Sequence, residues 1–276
     1  MKLFFLTAAV TMFSLHIGAQ STSKPRELKK TITLKMARTV DDEMPGTRGA
    51  SVVWHPLQKK YYAAMAGNFG YPLSVFDVSG KRISNDEQNT EADVRGLWYN
   101  PFKKAIEGNA YGSFGWFTYE LDKDGMIKEA KTLFEGLSQP SEQCVGAYNA
   151  AKKQVLFLYG SQVYIYMRDS AIERNRIIIH WGRTKADGIM EDEDETAEPE
   201  NHNRTTIVYT GMPGAELGFL NFMDMQIELY NIKDGFLTRT LKLPADAIPE
   251  ATFNFSYTNG TFWLFDMTNR EWTGYK

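Results

Sequence analysis

The chain contains a single cysteine, Cys144, among 276 residues. No intramolecular disulfide can form, so the fold must be held by its core and not by covalent staples. Cys144 opens an apolar strand pattern, which reads as a small buried hydrophobe in preference to a nucleophile. Histidine is scarce too. Of the four, His16 lies in the leading apolar segment, while His55, His180 and His202 show no zinc-ligand spacing, so no metal centre is expected from them. There is no Gly-x-Ser-x-Gly elbow and no phosphate-binding glycine loop, which leaves hydrolase triads and nucleotide sites without support. The net charge is only −3, and the basic residues are spread along the chain without forming a stripe. A nucleic-acid footprint is therefore absent. After the first segment no apolar run approaches the roughly 20 residues that a membrane helix requires, so no transmembrane segment is expected.

What is present begins with a leader. Lys2 supplies a positive start, residues 3–15 form an apolar run, and Gly18 and Ala19 precede Gln20. This is the layout of a secretory signal peptide over residues 1–20 and implies an exported chain, periplasmic or at the cell surface. A polar segment, 21–30, follows. The remainder, 31–276, is expected to form one domain, since closed β architectures reach this size around a single core.

That remainder repeats itself. Residues 51–56 (Ser-Val-Val-Trp-His-Pro), 94–101 (Val-Arg-Gly-Leu-Trp-Tyr-Asn-Pro), 144–149 (Cys-Val-Gly-Ala-Tyr-Asn), 206–210 (Thr-Ile-Val-Tyr-Thr) and 252–257 (Thr-Phe-Asn-Phe-Ser-Tyr) each open a unit. A polar turn, an aromatic strand and a third strand ending in a charged, glycine-containing turn follow in turn. The strands are read from β-branched and aromatic enrichment bounded by Gly, Asn, Asp and Pro, and the Asn-Gly and Asp-Gly pairs suit tight hairpins. Anchors at Val52, Leu97, Val145, Ile207 and Phe253 are spaced by 45, 48, 62 and 46 residues. The long step contains an acidic insertion, 187–203, with eight carboxylates and no Lys or Arg. Without it the period matches a four-stranded propeller blade.

The expected fold is thus all-β: a single β-propeller of five four-stranded blades. The fifth unit lacks its outer strand, and a ring without exposed edges requires one from elsewhere. Residues 31–38 (Thr-Ile-Thr-Leu-Lys-Met-Ala-Arg) alternate at the right length and are expected to complete the last blade. The chain resembles β-propeller proteins generally, and in particular exported bacterial propellers whose blades end in turns like residues 119–125 (Tyr-Glu-Leu-Asp-Lys-Asp-Gly). It lacks the Gly-His and Trp-Asp signature of WD40 proteins and the Asp-box of sialidases. A β-sandwich, or six blades with a degenerate one inside residues 171–203, are the alternatives.

In a propeller the loop leading into each first strand sits at one mouth of the central channel. Those loops carry Arg48, then Glu91 and Asp93, then Glu142 and Gln143, then His202 and Asn203, and finally Glu250. Arg48, Asp93, Glu142, Asn203 and Glu250 are the candidate ligand-binding set, joined by Phe69 and Tyr71, two aromatics held between glycine and proline in a connecting loop. Two of Asp93, Glu142 and Glu250 could serve as acid and nucleophile on a glycosidic bond, a chemistry that five-bladed propellers host. The same carboxylates could hold a calcium ion, which takes six to eight oxygen ligands; no other cofactor is implied. Exposed loops are polar for no functional reason as well, so the reading favoured is a binding module that presents its mouth to a protein, peptide or glycan. A carbohydrate-active enzyme and a purely structural component are the alternatives.

Overall fold

Several of the chain reversals are set by a short polar side chain that caps its own turn. Asp77 Oδ1 accepts from the amides of Ser79 and Lys81, Asp122 Oδ1 from Asp124 and Met126, Asn100 Oδ1 from Phe102 and Lys103, and Asp266 Oδ1 from Thr268 and Asn269. Such Asx turns satisfy the backbone where the chain reverses and fix the register of the flanking strands. The left-handed position of the turn belongs to glycine at Gly125 (φ +73°) but to lysine at Lys59, Lys104 and Lys153, with φ between +52° and +55°.

The computed structural model describes residues 25–38, 47–85, 88–188 and 199–276. The expected signal peptide and most of the acidic insertion lie outside the described residues. Two short strands come first, β1 (Arg26–Glu27) and β2 (Lys30–Lys35). The first blade holds β3 (Arg48–His55), β4 (Lys60–Ala66) and β5 (Ser74–Phe76), with its outer position marked only by single bridges at Arg82 and Asn89. The second holds β6 (Val94–Asn100), β7 (Ala105–Ala110), β8 (Trp116–Leu121) and β9 (Ile127–Phe134). The third holds β10 (Ala147–Asn149), β11 (Gln154–Tyr159), β12 (Gln162–Met167) and β13 (Ile172–Ile178). The fourth holds β14 (Val208–Tyr209), β15 (Leu217–Asn221), β16 (Gln226–Tyr230) and β17 (Leu237–Lys242). The fifth holds β18 (Phe255–Thr258), β19 (Thr261–Asp266) and β20 (Glu271–Tyr275). These five antiparallel sheets stand in a ring: the protein is a five-bladed β-propeller.

The ring closes as the sequence predicts. β2 pairs antiparallel with β20, with Ile32 opposite Gly274 and Leu34 opposite Trp272, and so becomes the outer strand of the fifth blade. One feature was not foreseen. Within the segment read as a polar lead-in, β1 runs parallel to β17, Arg26 opposite Leu241 and Glu27 opposite Lys242, so the chain start straps the outer edges of two successive blades.

The core is divided by seam. Each pair of neighbouring blades shares one buried apolar cluster: Tyr62 and Val75 with Phe117 and Tyr119, Trp98 and Trp116 with Phe157, Leu156 and Ile165 with Phe219, Leu220 and Leu229 with Phe255, and Trp263 and Trp272 with Val52 and Phe76. Cys144 lies in the second of these, 2% exposed, its thiol donating to the Leu158 carbonyl and pushed up to about 12 by burial. It is a packed hydrophobe and not a reactive thiolate.

At the last seam Gly49 leaves no room for a side chain, since a Cβ there would meet Trp272 at 2.5 Å and Phe265 at 2.6 Å. Gly49→Ala should lower stability by roughly 1–3 kcal/mol through overpacking, read as a fall in urea midpoint with unchanged m-value. An unaltered midpoint would show that this seam yields freely.

Candidate functional site

The first strands of the five blades, β3, β6, β10, β14 and β18, surround the axis, so the propeller has a leading mouth where they begin and a trailing mouth where they end. At the leading mouth stands Phe253, which precedes β18. It is 1% exposed and belongs to a buried cluster that also holds Ala50, Val94 and Val145 from the first three blades. The guanidinium groups of Arg48 and Arg95 each lie 5.5 Å from its centroid, within cation–π range. Phe253 plugs this mouth and two arginines cover the plug.

Of the candidates read from the loops, Arg48, Asp93, Glu142 and Asn203 lie around that plug with defined partners, whereas His202 belongs to the cluster described below. Asp93 pairs with Arg95 through both carboxylate oxygens and also accepts from the Gly67 amide. Arg95 donates to the Glu142 carbonyl at 3.1 Å, and its guanidinium lies 4.7 Å from the Tyr111 ring. The Glu142 carboxylate accepts from the Tyr111 hydroxyl and thereby raises its pKa. Asn203, fully buried, donates from Nδ2 to the carbonyls of Glu250 (2.9 Å) and Phe253 (2.7 Å). Glu91 accepts from the Ala130 amide. The two loop aromatics part company: Phe69 is 68% exposed, whereas Tyr71 is 2% exposed with its hydroxyl 2.8 Å from Thr47 Oγ1. Only Phe69 can offer a ring face to a ligand. Sequence reading missed Arg95 and Phe253, which look like ordinary strand residues until the ring brings them together.

The axis opens instead at the trailing mouth. A cavity of about 230 Å³ is lined by residues from all five blades, from Ser51 and Val53 in the first to Ser256 and Asn259 in the fifth. No Asp, Glu, Lys, Arg or His is among the lining residues. One half-buried aromatic occupies the same place in every first strand, Trp54, Tyr99, Tyr148, Tyr209 and Tyr257; the four tyrosines line the cavity, whereas Trp54 packs against Tyr61, 4.6 Å between ring centroids. Burial raises the hydroxyl pKa of the four tyrosines, Tyr148 to about 12, so they stay protonated.

A third cluster lies at the root of the acidic insertion. A cleft of about 480 Å³ is lined by Trp181, Glu200, His202, Asp224 and Glu228 among others. Glu228, 3% exposed, accepts from His202 Nε2 at 2.9 Å, Asn221 Nδ2 at 3.0 Å, Gln226 Nε2 at 2.9 Å and the Tyr230 hydroxyl. The Trp181 and His202 rings are 4.5 Å apart. The second blade carries the same device: Asn100 donates to Glu107, which also accepts from Trp98 and Arg168. In both, an asparagine at a strand end holds a glutamate seven positions on, across the hairpin. The cluster is a structural latch used twice. Among the described residues no group of three or more His, Cys, Asp or Glu is arranged to hold a metal.

No protein-family model matches the sequence, and no curated protein matches it. Among solved structures, the chain is similar to a glutaminyl cyclase of Myxococcus xanthus, with TM-score 0.55 and 8% identity over 92% of this chain and 98% of that one. It is also similar to a virginiamycin B lyase of Staphylococcus aureus, with TM-score 0.50 and 11% identity over 91% and 99% of the two chains. At such identities the likeness is one of fold, and it agrees with the propeller ring.

Burial alone would raise the Glu228 carboxyl, but its donors, His202 foremost, hold it down to about 2. Because that value lies below the unfolded carboxylate value near 4.3, the stabilisation is complete above that pH and is lost as pH falls toward about 2. By linkage it amounts to roughly 2–3 kcal/mol. Glu228→Gln should flatten the acid limb of a urea-unfolding series between about pH 5 and 2.5. An acid limb as steep as that of the parent would show the latch to be uncoupled from folding.

Proposed function

We propose that this chain is an exported binding module that receives its ligand, a group on a protein, peptide or glycan, at the trailing mouth. The observation that carries the reading is the axial cavity to which all five blades contribute, opposite a mouth that is plugged. Convergent walls of aromatic rings and a few hydroxyls are the ordinary make-up of a recognition pocket. Export is supported by the three-part layout of residues 1–20.

The glycoside hydrolase reading draws less support. It needs two carboxylates free to donate a proton and to attack or activate water. Asp93 is engaged by Arg95 and Glu142 by Tyr111, and Phe253, buried beneath Arg48 and Arg95, closes this mouth. A purely structural component would need no cavity at all.

The test is a glycan and peptide array probed with the mature chain and with two variants, Tyr209→Leu at the trailing mouth and Phe69→Ala at the leading one. Captured ligands should be lost by Tyr209→Leu and kept by Phe69→Ala. Capture that depends on Phe69, or turnover of a glycoside that Asp93→Asn abolishes, would move the site to the leading mouth.

A further inference from the structure

The trailing cavity is distinguished by what its walls leave out. About a quarter of the chain is charged (24%), yet no acid, base or histidine lines the point on which five blades converge. An ionised group entering this space would shed its hydration and find no counter-charge, which disfavours it against a neutral group. The tyrosines do not change this, because burial holds their hydroxyls neutral.

Three positive features remain. First, the neutral polar groups at the wall are of both kinds: the Ser51 and Ser256 hydroxyls lie 3.3 Å apart and also bond the Leu97 and Val52 carbonyls, and Thr206, Thr258 and Asn259 stand beside them, Thr258 accepting from the Trp54 amide and Asn259 donating to the Tyr61 hydroxyl. Second, the lining is aromatic in four of the five blades, at Tyr99, Tyr148, Tyr209 and Tyr257, and half-buried rings of this kind offer faces to C–H groups and to other rings while holding their own orientation. Third, the space is small. At about 230 Å³ it has the volume of about eight liquid waters, which admits one substituted six-membered ring and excludes a helix or a strand.

We infer that the trailing cavity takes a single uncharged, hydroxyl-bearing ring, the terminal residue of a neutral glycan, with the sugar's hydroxyls meeting the serine, threonine and asparagine groups and its C–H face meeting the aromatic rim. This rests on the trailing mouth being the binding end, as proposed above. A peptide side chain of similar size, proline above all, would suit the rings but make no use of the hydroxyl and amide groups that line the wall.

The experiment uses the mature chain and ligand-observed NMR with three probe sets: neutral methyl hexopyranosides, the corresponding uronic acid and 2-amino sugar, and a proline-rich peptide. Ala150→Trp places a bulky ring at the half-exposed edge of the cavity, where Ala150 already lines it, and Tyr99→Leu removes one ring of the rim should the first variant misfold. At least one neutral glycoside should bind, its charged counterparts at least about tenfold more weakly, with binding lost in Ala150→Trp and weakened several-fold in Tyr99→Leu. Charged sugars that bind as well as neutral ones, a peptide that binds where no glycoside does, or the failure of every glycoside would each overturn the ligand class. Glycoside binding that both variants leave untouched would overturn the trailing-mouth reading itself.

Discussion

The strand that residues 30–35 supply to the last blade is the contact on which the other features of this propeller depend. Sheets in a ring each expose an inner and an outer edge, and the ring holds only if its first and last blades are joined. Here the join is made in the fifth blade, where β2 lies against β20 and buries Leu34 beside Trp263, Phe265 and Trp272. That cluster also contains Val52, Tyr61 and Phe76 of the first blade. Hydrogen bonding across the closure and burial across the last seam are thus one event, and β1 extends it to the neighbouring blade.

Closure ties the inner strands together at the leading end. Three buried asparagines stitch one blade to the next there: Asn109 Oδ1 accepts from Gly146, Asn254 Oδ1 from Gly49, and Asn203 Nδ2 donates to the Phe253 carbonyl. Backbone bonds from Val145 to Thr205 and from Arg204 to Ala251 do the same. A Cβ on Gly96 would come within 2.7 Å of Gly146 backbone atoms, so two strands approach there as only glycine permits. With that end sewn shut and plugged by Phe253, the free volume of the axis lies at the other. The uncharged cavity is therefore a product of closure as much as of its own lining.

Much of the architecture was legible in the sequence because the repeat has a physical cause. Each blade needs the same succession of strand, Asx-capped turn and strand, and each outer strand must alternate, which is why residues 31–38 could be matched to a missing position. β1 could not be read, because two residues carry no period. Nor could the left-handed turns at Lys59, Lys104 and Lys153, since those φ values usually call for glycine or asparagine. At the candidate site, the convergence of Arg48, Asp93, Glu142, Asn203 and Glu250 on one mouth followed from the repeat alone, but their employment did not. Asp93 is engaged by Arg95, two positions on in the strand it precedes, and Phe253 meets Arg48 and Arg95 from the first two blades, relations that appear only in three dimensions. The tyrosines that line the trailing cavity are not legible as a site in the sequence, because ring-bearing strand residues are ordinarily core.

Hydrogen exchange of the β20 amides tests the closure most directly. If β2 completes the fifth blade, all amides of Glu271–Tyr275 should exchange as slowly as those of β7, which is paired on both sides. Rapid exchange at alternate β20 amides, the behaviour of an unpaired sheet edge, would contradict the account.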